Sequence, residues 1–232
     1  MTLTAVLIWT VIAVLILVAA LSIYPGELSW FGAKANARLY DAGASQYESK
    51  WQRHDYAPYD AQIERAAGLL QGEKLRVLDL CTGTGRALAV AVASLDTRAS
   101  YTAVDSSSAM LSICKQRIAD LREDLSAEIT LSLAEVSSWL AHAKPCEYQL
   151  ITLMEASEFI PDFPSVFTLL AKCLDHRGML VMTYPTSIYA LCFPRRAQAR
   201  RQLHVLIHQS GLQIDLDTSW RSRYRICVVT KP

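Results

Sequence analysis

The stretch VLDLCTGTG, residues 77–85, runs from a short apolar, strand-like segment into an acid, Asp79, and then into two glycines, Gly83 and Gly85. A helix-compatible run opens at about Arg86, so the glycines stand where backbone must come close to a ligand at a helix N-terminus. Neighbouring residues exclude two common ligands of such loops. The dinucleotide fingerprint requires a third glycine where the chain has Leu88, and the phosphate loop of nucleotide hydrolases requires a Gly-Lys-Ser/Thr that does not follow. Twenty residues beyond Gly85 the next strand-like run ends in Asp105, followed by SSSAML. A carboxylate there can accept both hydroxyls of a ribose, so loop and acid together specify a nucleoside. Asp79 would repel a pyrophosphate and suits a ligand that carries an ammonium and a sulfonium.

Those residues need a scaffold to position them, and the hydrophobic pattern supplies it. KLRVLDL (74–80), ASYTAVD (99–105), EITLSLAE (128–135), YQLITLME (148–155) and GMLVMTYP (178–185) read as strands. Between them GRALAVAVASL, SAMLSICKQRIADLRED, VSSWLAHA and PSVFTLLAKCLDH read as helices. Such alternation predicts parallel strands joined by right-handed crossovers, followed by a last helix, QARRQLHVLIHQSG, and a strand pair, LQIDLDTSW and RYRICVVTK. The site of such a sheet lies beyond the carboxyl ends of its strands, where strand order reverses, with the first and fourth strands flanking it. The fourth ends in LMEASEF, which brings Glu155 and Glu158 there. Glu155 is the candidate catalytic residue, since a carboxylate in that place could take a proton from a phenol, enol or amine. Capping the next helix or pairing with an arginine fits the same acids.

VLDLCTGTG, YTAVDSSSAML, ITLSLAEVSSWL and YQLITLMEASEFIPDF stand in the order and spacing of the first four motifs of class I S-adenosylmethionine-dependent methyltransferases. Over roughly residues 40–230 the chain resembles that family, and most of all its small-molecule members of the ubiquinone/menaquinone C-methyltransferase type. The resemblance implies a Rossmann-like, doubly wound seven-stranded α/β sheet with a C-terminal antiparallel strand pair, and S-adenosyl-L-methionine as cofactor. By the same resemblance Asp79, Gly83 and Gly85 line the methionine and ribose portions with Cys81 beside them. Asp105, with its neighbour Ser106, holds the ribose, and Glu135 with the Val136 amide faces the adenine. The chain departs from the family at Cys81, often glycine, and at Glu135, usually aspartate. YDAGASQYESKW resembles the family's N-terminal segment, whose aromatics help close over the cofactor, so Tyr40 and Tyr47 are candidate lid residues; a plain amphipathic helix fits equally. LMEASEF does not match the Asn/Asp-Pro-Pro-Tyr signature of amide nitrogen methylation, which disfavours adenine or glutamine amide acceptors.

With 23 Lys+Arg against 22 Asp+Glu, the net charge of +1 gives no global field that would draw nucleic acid. Six cysteines, none in C-x-x-C spacing, read as small buried hydrophobes rather than a zinc or disulfide framework. Cys81 itself reads as a packing residue, with no neighbouring histidine or cation to activate it. His204 and His208 are four apart, but no acidic or cysteine third ligand accompanies them, so no metal is expected.

Residues 1–26 carry no charge, and the apolar run 3–23 would span about 31 Å as a helix, against roughly 30 Å of hydrocarbon core. It lacks the basic n-region of a signal peptide and reads as a single-pass transmembrane helix ending near Ile23. Lys34 and Arg38 beyond it predict a cytoplasmic C-terminal domain. The expected organisation is an anchor over 1–26, a linker and helical lid over 27–71, and a methyltransferase domain over 72–232. Arg195, Arg196, Arg200 and Arg201, beside the apolar residues 188–193, suit an anionic membrane surface; a core loop followed by a solvated helix face suits them too. The expected partners are the lipid bilayer and a small lipophilic substrate, either a quinone or phenol precursor or an amine-bearing lipid. A non-catalytic methyltransferase-like subunit of a membrane complex is the alternative.

Overall fold

The computed structural model describes residues 3–26, 32–51, 55–72, 74–121, 127–190, 193 and 198–232. Its strands are β1 (Leu75–Leu80), β2 (Ala99–Asp105), β3 (Ile129–Leu133), β4 (Tyr148–Leu153), β5 (Leu174–Pro185), β6 (Gln213–Trp220) and β7 (Tyr224–Thr230). They form one seven-stranded sheet in the order β3-β2-β1-β4-β5-β7-β6. The first five run parallel, and β7 is antiparallel to both β5 and β6. The chain winds outward from β1 to β3 and then returns to β4 beside β1, so strand order reverses between those two. This is the parallel sheet with a terminal strand pair that the alternating pattern predicts, in the Rossmann-like form that the resemblance implies.

The helices are α1 (Leu3–Gly26), α2 (Ala33–Trp51), α3 (Ala57–Leu69), α4 (Arg86–Leu95), α5 (Ser108–Leu121), α6 (Val136–Leu140), α7 (Phe163–Cys173), α8 (Ser187–Ala190) and α9 (Arg200–Gln209). β1 and β4 are buried almost throughout because both faces of the sheet are covered. On one face α3 buries Tyr59, Ile63, Ala66 and Ala67, one stripe at helical spacing, with α4 beside it. On the other, α7 buries Phe163, Val166, Phe167 and Leu170 against β4 and β5.

The structure differs from the sequence reading in three places. β5 begins at Leu174, so LDH, read as the end of a helix, is strand. The pairing of β4 with β5 jumps from Tyr148↔Leu174 to Leu150↔Met179, and Arg177 within the bulge takes a φ of 61°. The extra residues of this bulge break the alternation that would have marked a strand. α1 continues to Gly26, past the expected stop near Ile23, a difference within the last turn, where helix ends fray. The expected transmembrane anchor is not borne out: among the described residues no helix is long and apolar enough to cross a membrane. The side chains at 15 and 17–26, and residues 27–31 entirely, lie outside the described residues.

Candidate functional site

At the carboxyl end of β1 the chain turns through three residues of positive φ, Cys81 at 53°, Gly83 at 53° and Gly85 at 78°, before α4 begins. Asp79 anchors that turn. Its carboxylate accepts from Thr82 Oγ1 at 2.5 Å and from Thr152 Oγ1 on β4 at 2.6 Å, which ties the loop across the point where strand order reverses. Burial pushes the Asp79 carboxyl up to about 6 in spite of these bonds. Cys81 occupies a left-handed position usually given to glycine. Burial, with Asp105 and Asp79 nearby, drives its thiol well above the usual range, which suits packing and not nucleophilic attack.

Asp105, at the end of β2, accepts from the backbone N–H of Gly83 at 2.8 Å and from that of Ser107 at 2.8 Å. One carboxylate thus joins the glycine loop to the turn that opens α5. A carboxylate offers about four lone-pair sites, so with the Ser106 N–H also directed at it some acceptor capacity remains for a ribose hydroxyl. A Cβ added at Gly83 would meet nothing within 4 Å, so the loop presents bare backbone to open space. Ser106 follows on the surface, while Glu135 caps α6, accepting from the Ser138 N–H at 3.0 Å and from the Ser137 hydroxyl. Val136 is buried behind it.

α2 lies over this end of the sheet and grips both loops. Asp41 accepts from Ser107 Oγ at 2.6 Å and from the Ala109 N–H at 3.1 Å, and these bonds hold its carboxyl below the usual range. Glu48 accepts from Thr84 Oγ1 at 2.5 Å and pairs with Arg117 at 2.5 Å. The rings of Tyr40 and Tyr47 lie 6.0 Å apart on α2. Tyr47 lines a cleft with Asp79, Gly83, Arg86, Tyr56 and Glu155.

Glu155, just past β4, takes a φ of 48°, donates its N–H to Thr183 Oγ1 at 2.7 Å, and pairs through Oε1 with Arg221 Nη1 at 2.7 Å. The pairing reading of this acid is therefore the one the structure displays. Sequence reasoning missed both Arg221 and Tyr56: they carry no motif, and their relation to Glu155 exists only once the β6–β7 turn is folded against β4. Glu158 is wholly buried and accepts from the Tyr224 hydroxyl, and burial pushes it up to about 7.

A raised carboxyl pKa means that the folded chain holds its proton more tightly, so stability is greatest at low pH and falls as pH rises from the ordinary value of 4.5 through about 7. The penalty on the charged form is about 3 kcal/mol. Glu158→Gln keeps an acceptor for Tyr224 and should remove this slope. We expect its melting temperature to exceed that of the native chain by several degrees at pH 8 and to match it near pH 5. An equal difference at both values would refute a buried titrating carboxyl.

Away from the cleft, Tyr184, Arg200, His204 and Arg225 converge on Asp217. Arg200, of the basic cluster expected to face a membrane, thus pairs with Asp217 while its side chain stays exposed, and Arg195 and Arg196 lie outside the described residues. Among the described residues no group of His, Cys, Asp and Glu side chains could hold a metal ion.

The family described as "Methyltransferase domain" matches residues 51–220. No curated protein matches the chain. Among solved structures it is similar to phosphoethanolamine N-methyltransferase 2 of Haemonchus contortus in complex with S-adenosyl-L-methionine, with a TM-score of 0.63 and 13% identity over 83% of this chain and 57% of that one. It is also similar to magnesium protoporphyrin IX methyltransferase of Synechocystis PCC 6803 with bound S-adenosylhomocysteine (SAH), with a TM-score of 0.60 and 16% identity over 82% of this chain and 94% of that one. At these identities the likeness is one of fold, and the chain spans little more than half of the Haemonchus protein.

Proposed function

Because the chain belongs to the methyltransferase-domain family, we propose that it transfers the methyl group of S-adenosylmethionine to a small, lipophilic or membrane-associated acceptor. The observation that carries this reading is the carboxylate of Asp105, which joins two loops and keeps lone pairs for a ribose beside the bare backbone of Gly83. The cofactor, when bound, supplies an electrophilic methyl on a sulfonium. Asp105 and Ser106 would hold its ribose, the 81–85 loop its methionine portion, and Glu135 with Val136 its adenine edge. Asp79, buried beneath the loop, sets a negative charge under a cationic ligand. Glu155, which lines the cleft, would receive a proton from the acceptor.

The membrane part of the proposal rests on the uncharged run 3–23 and on α1. Along α1 Leu7, Ile8, Trp9, Val11 and Val14 are all more than half exposed, and these positions point around the helix and not along one stripe. A helix apolar on all sides requires an apolar surrounding. An anchor over 1–26, a lid over 27–71 and a catalytic domain over 72–232 on the cytoplasmic face would confine the site to the surface where a quinone or phenol precursor, or an amine-bearing lipid, resides.

Calorimetry with S-adenosylmethionine and SAH tests the catalytic reading. Saturable binding is expected, and none would leave the non-catalytic subunit reading in its place. Flotation with lipid vesicles tests the anchor: the full chain should float and residues 27–232 should not. Lipid profiling of a deletion strain, seeking one species a methylene lighter, would name the acceptor.

A further inference from the structure

Arg221 stands at the β6–β7 turn with its guanidinium against two rings, 4.3 Å from the centroid of Tyr56 and 4.0 Å from that of Trp220. Its Nη1 is taken by Glu155. Nε and Nη2 are shut off from solvent and find no hydrogen-bond partner among the described residues. These two nitrogens form the forked edge of a guanidinium, the edge that meets a carboxylate or phosphate with two parallel bonds. Buried donors are nearly always paired, and a guanidinium cannot shed its charge, so an empty fork calls for an acceptor from outside the chain.

The neighbouring Arg86 is a useful contrast. It lies 3.9 Å from the centroid of the same Tyr56 ring and pairs with Asp60 at 2.5 Å. Its unpartnered Nε is matched by the unpartnered Oδ1 of that same Asp60, so a small rotation closes the pair internally. Among the described residues the fork of Arg221 has no buried unpartnered acceptor of that kind.

We propose that the methyl acceptor carries an oxyanion, a carboxylate or a phosphate, and that the Nε–Nη2 fork of Arg221 binds it next to Glu155. This rests on the methyltransferase reading above. The two rings and the bond to Glu155 hold the guanidinium in place, so the fork is presented in one orientation and fixes which atom of the acceptor faces the cofactor. Because the fork is covered, the oxyanion reaches it by displacing a ring, and Tyr56 is the ring that also lines the cleft.

The test uses the full chain in detergent, with SAH added, and three probes of one ring size: benzoate, phenyl phosphate and the neutral benzyl alcohol. At least one anion should bind ten-fold or more tighter than benzyl alcohol, and the stronger of the two tells a carboxylate acceptor from a phosphorylated one. Arg221→Gln should abolish the preference without moving affinity for the alcohol. Arg221→Lys keeps a cation against Glu155 and so preserves the fold, yet it lacks the fork and should still lose at least five-fold. No anion preference in the native chain, or a preference retained by both variants in folded form, overturns the proposal. Anion binding without any binding of SAH would instead overturn the methyltransferase reading and leave the oxyanion site standing.

Discussion

Gly85→Ala should lower the melting temperature by roughly 10 °C, while Gly83→Ala, two residues away, should leave it within a few degrees and abolish cofactor binding. The two glycines share a positive φ but differ in what surrounds them. A Cβ at Gly85 would collide with Cys114 Sγ and lie 3.1 Å from its Cβ and 3.2 Å from its Cα, and the last of these is backbone that cannot swing aside. Overpacking of this kind costs about 1–3 kcal/mol, and left-handed backbone at φ +78° adds about 1–2 kcal/mol for a residue with a side chain. For a chain of this size each kcal/mol is worth roughly 2–4 °C. At Gly83 the added Cβ meets nothing, and Cys81 shows that this loop already carries a side chain at φ 53°. The methyl introduced by Gly83→Ala would instead fill the space where ligand meets backbone. Thermal melts and calorimetry of both variants decide the matter, and Cys114→Ala should restore part of the stability lost at Gly85 by removing the closest contact. A stable Gly85→Ala, or a Gly83→Ala that binds cofactor at native affinity, would show that the loop is not built as described.

The parts of this site that could be read from the sequence are those whose partners are close along the chain. Asp79, Gly83 and Gly85 lie within seven residues, and the strand they follow announces itself by apolar, β-branched content. Asp105 is legible because one crossover of fixed architecture separates it from the loop. Pairings that depend on how distant segments settle were not. Thr152 reaches Asp79 across 73 positions, Arg221 reaches Glu155 across 66, and Glu48 reaches Thr84 across 36. Each joins residues of separate segments, and no spacing rule encodes it. The early start of β5 was hidden for a related reason: its bulge against β4 is a property of the pair of strands and not of either alone. The pairing of Arg200 with Asp217, brought alongside by β6, was likewise hidden, since it joins residues 17 positions apart on different elements.

Asp105→Ala should weaken the cofactor by two orders of magnitude or more and cost stability as well. Reading the sequence alone assigns Asp105 only to the ribose, with the fold untouched by its loss. The structure gives it a second task, because its carboxylate accepts the N–H of Gly83 and the N–H of Ser107, each at 2.8 Å. Hydrogen bonds to a charged group contribute about 1.5–3 kcal/mol each, and water can satisfy part of what is lost at a half-buried position. Removal therefore frees the glycine loop from β2 and the start of α5 before any ligand arrives, so the affinity lost includes the cost of ordering that loop again. Asp105→Asn retains one acceptor oxygen and should fall between the native chain and the alanine variant in both melting temperature and affinity. Burial raises the Asp105 carboxyl above its ordinary value, with the N–H groups of Ser107 and Gly83 opposing. Cofactor affinity should therefore decline as pH is lowered through that raised value, because the protonated acid gives up acceptor capacity that both loops and a ribose require. Calorimetry at pH 8 and pH 5 measures this decline in the native chain, and the alanine variant should show less of it. A folded Asp105→Ala that binds S-adenosylmethionine as tightly as the native chain would remove the nucleoside from this end of the sheet.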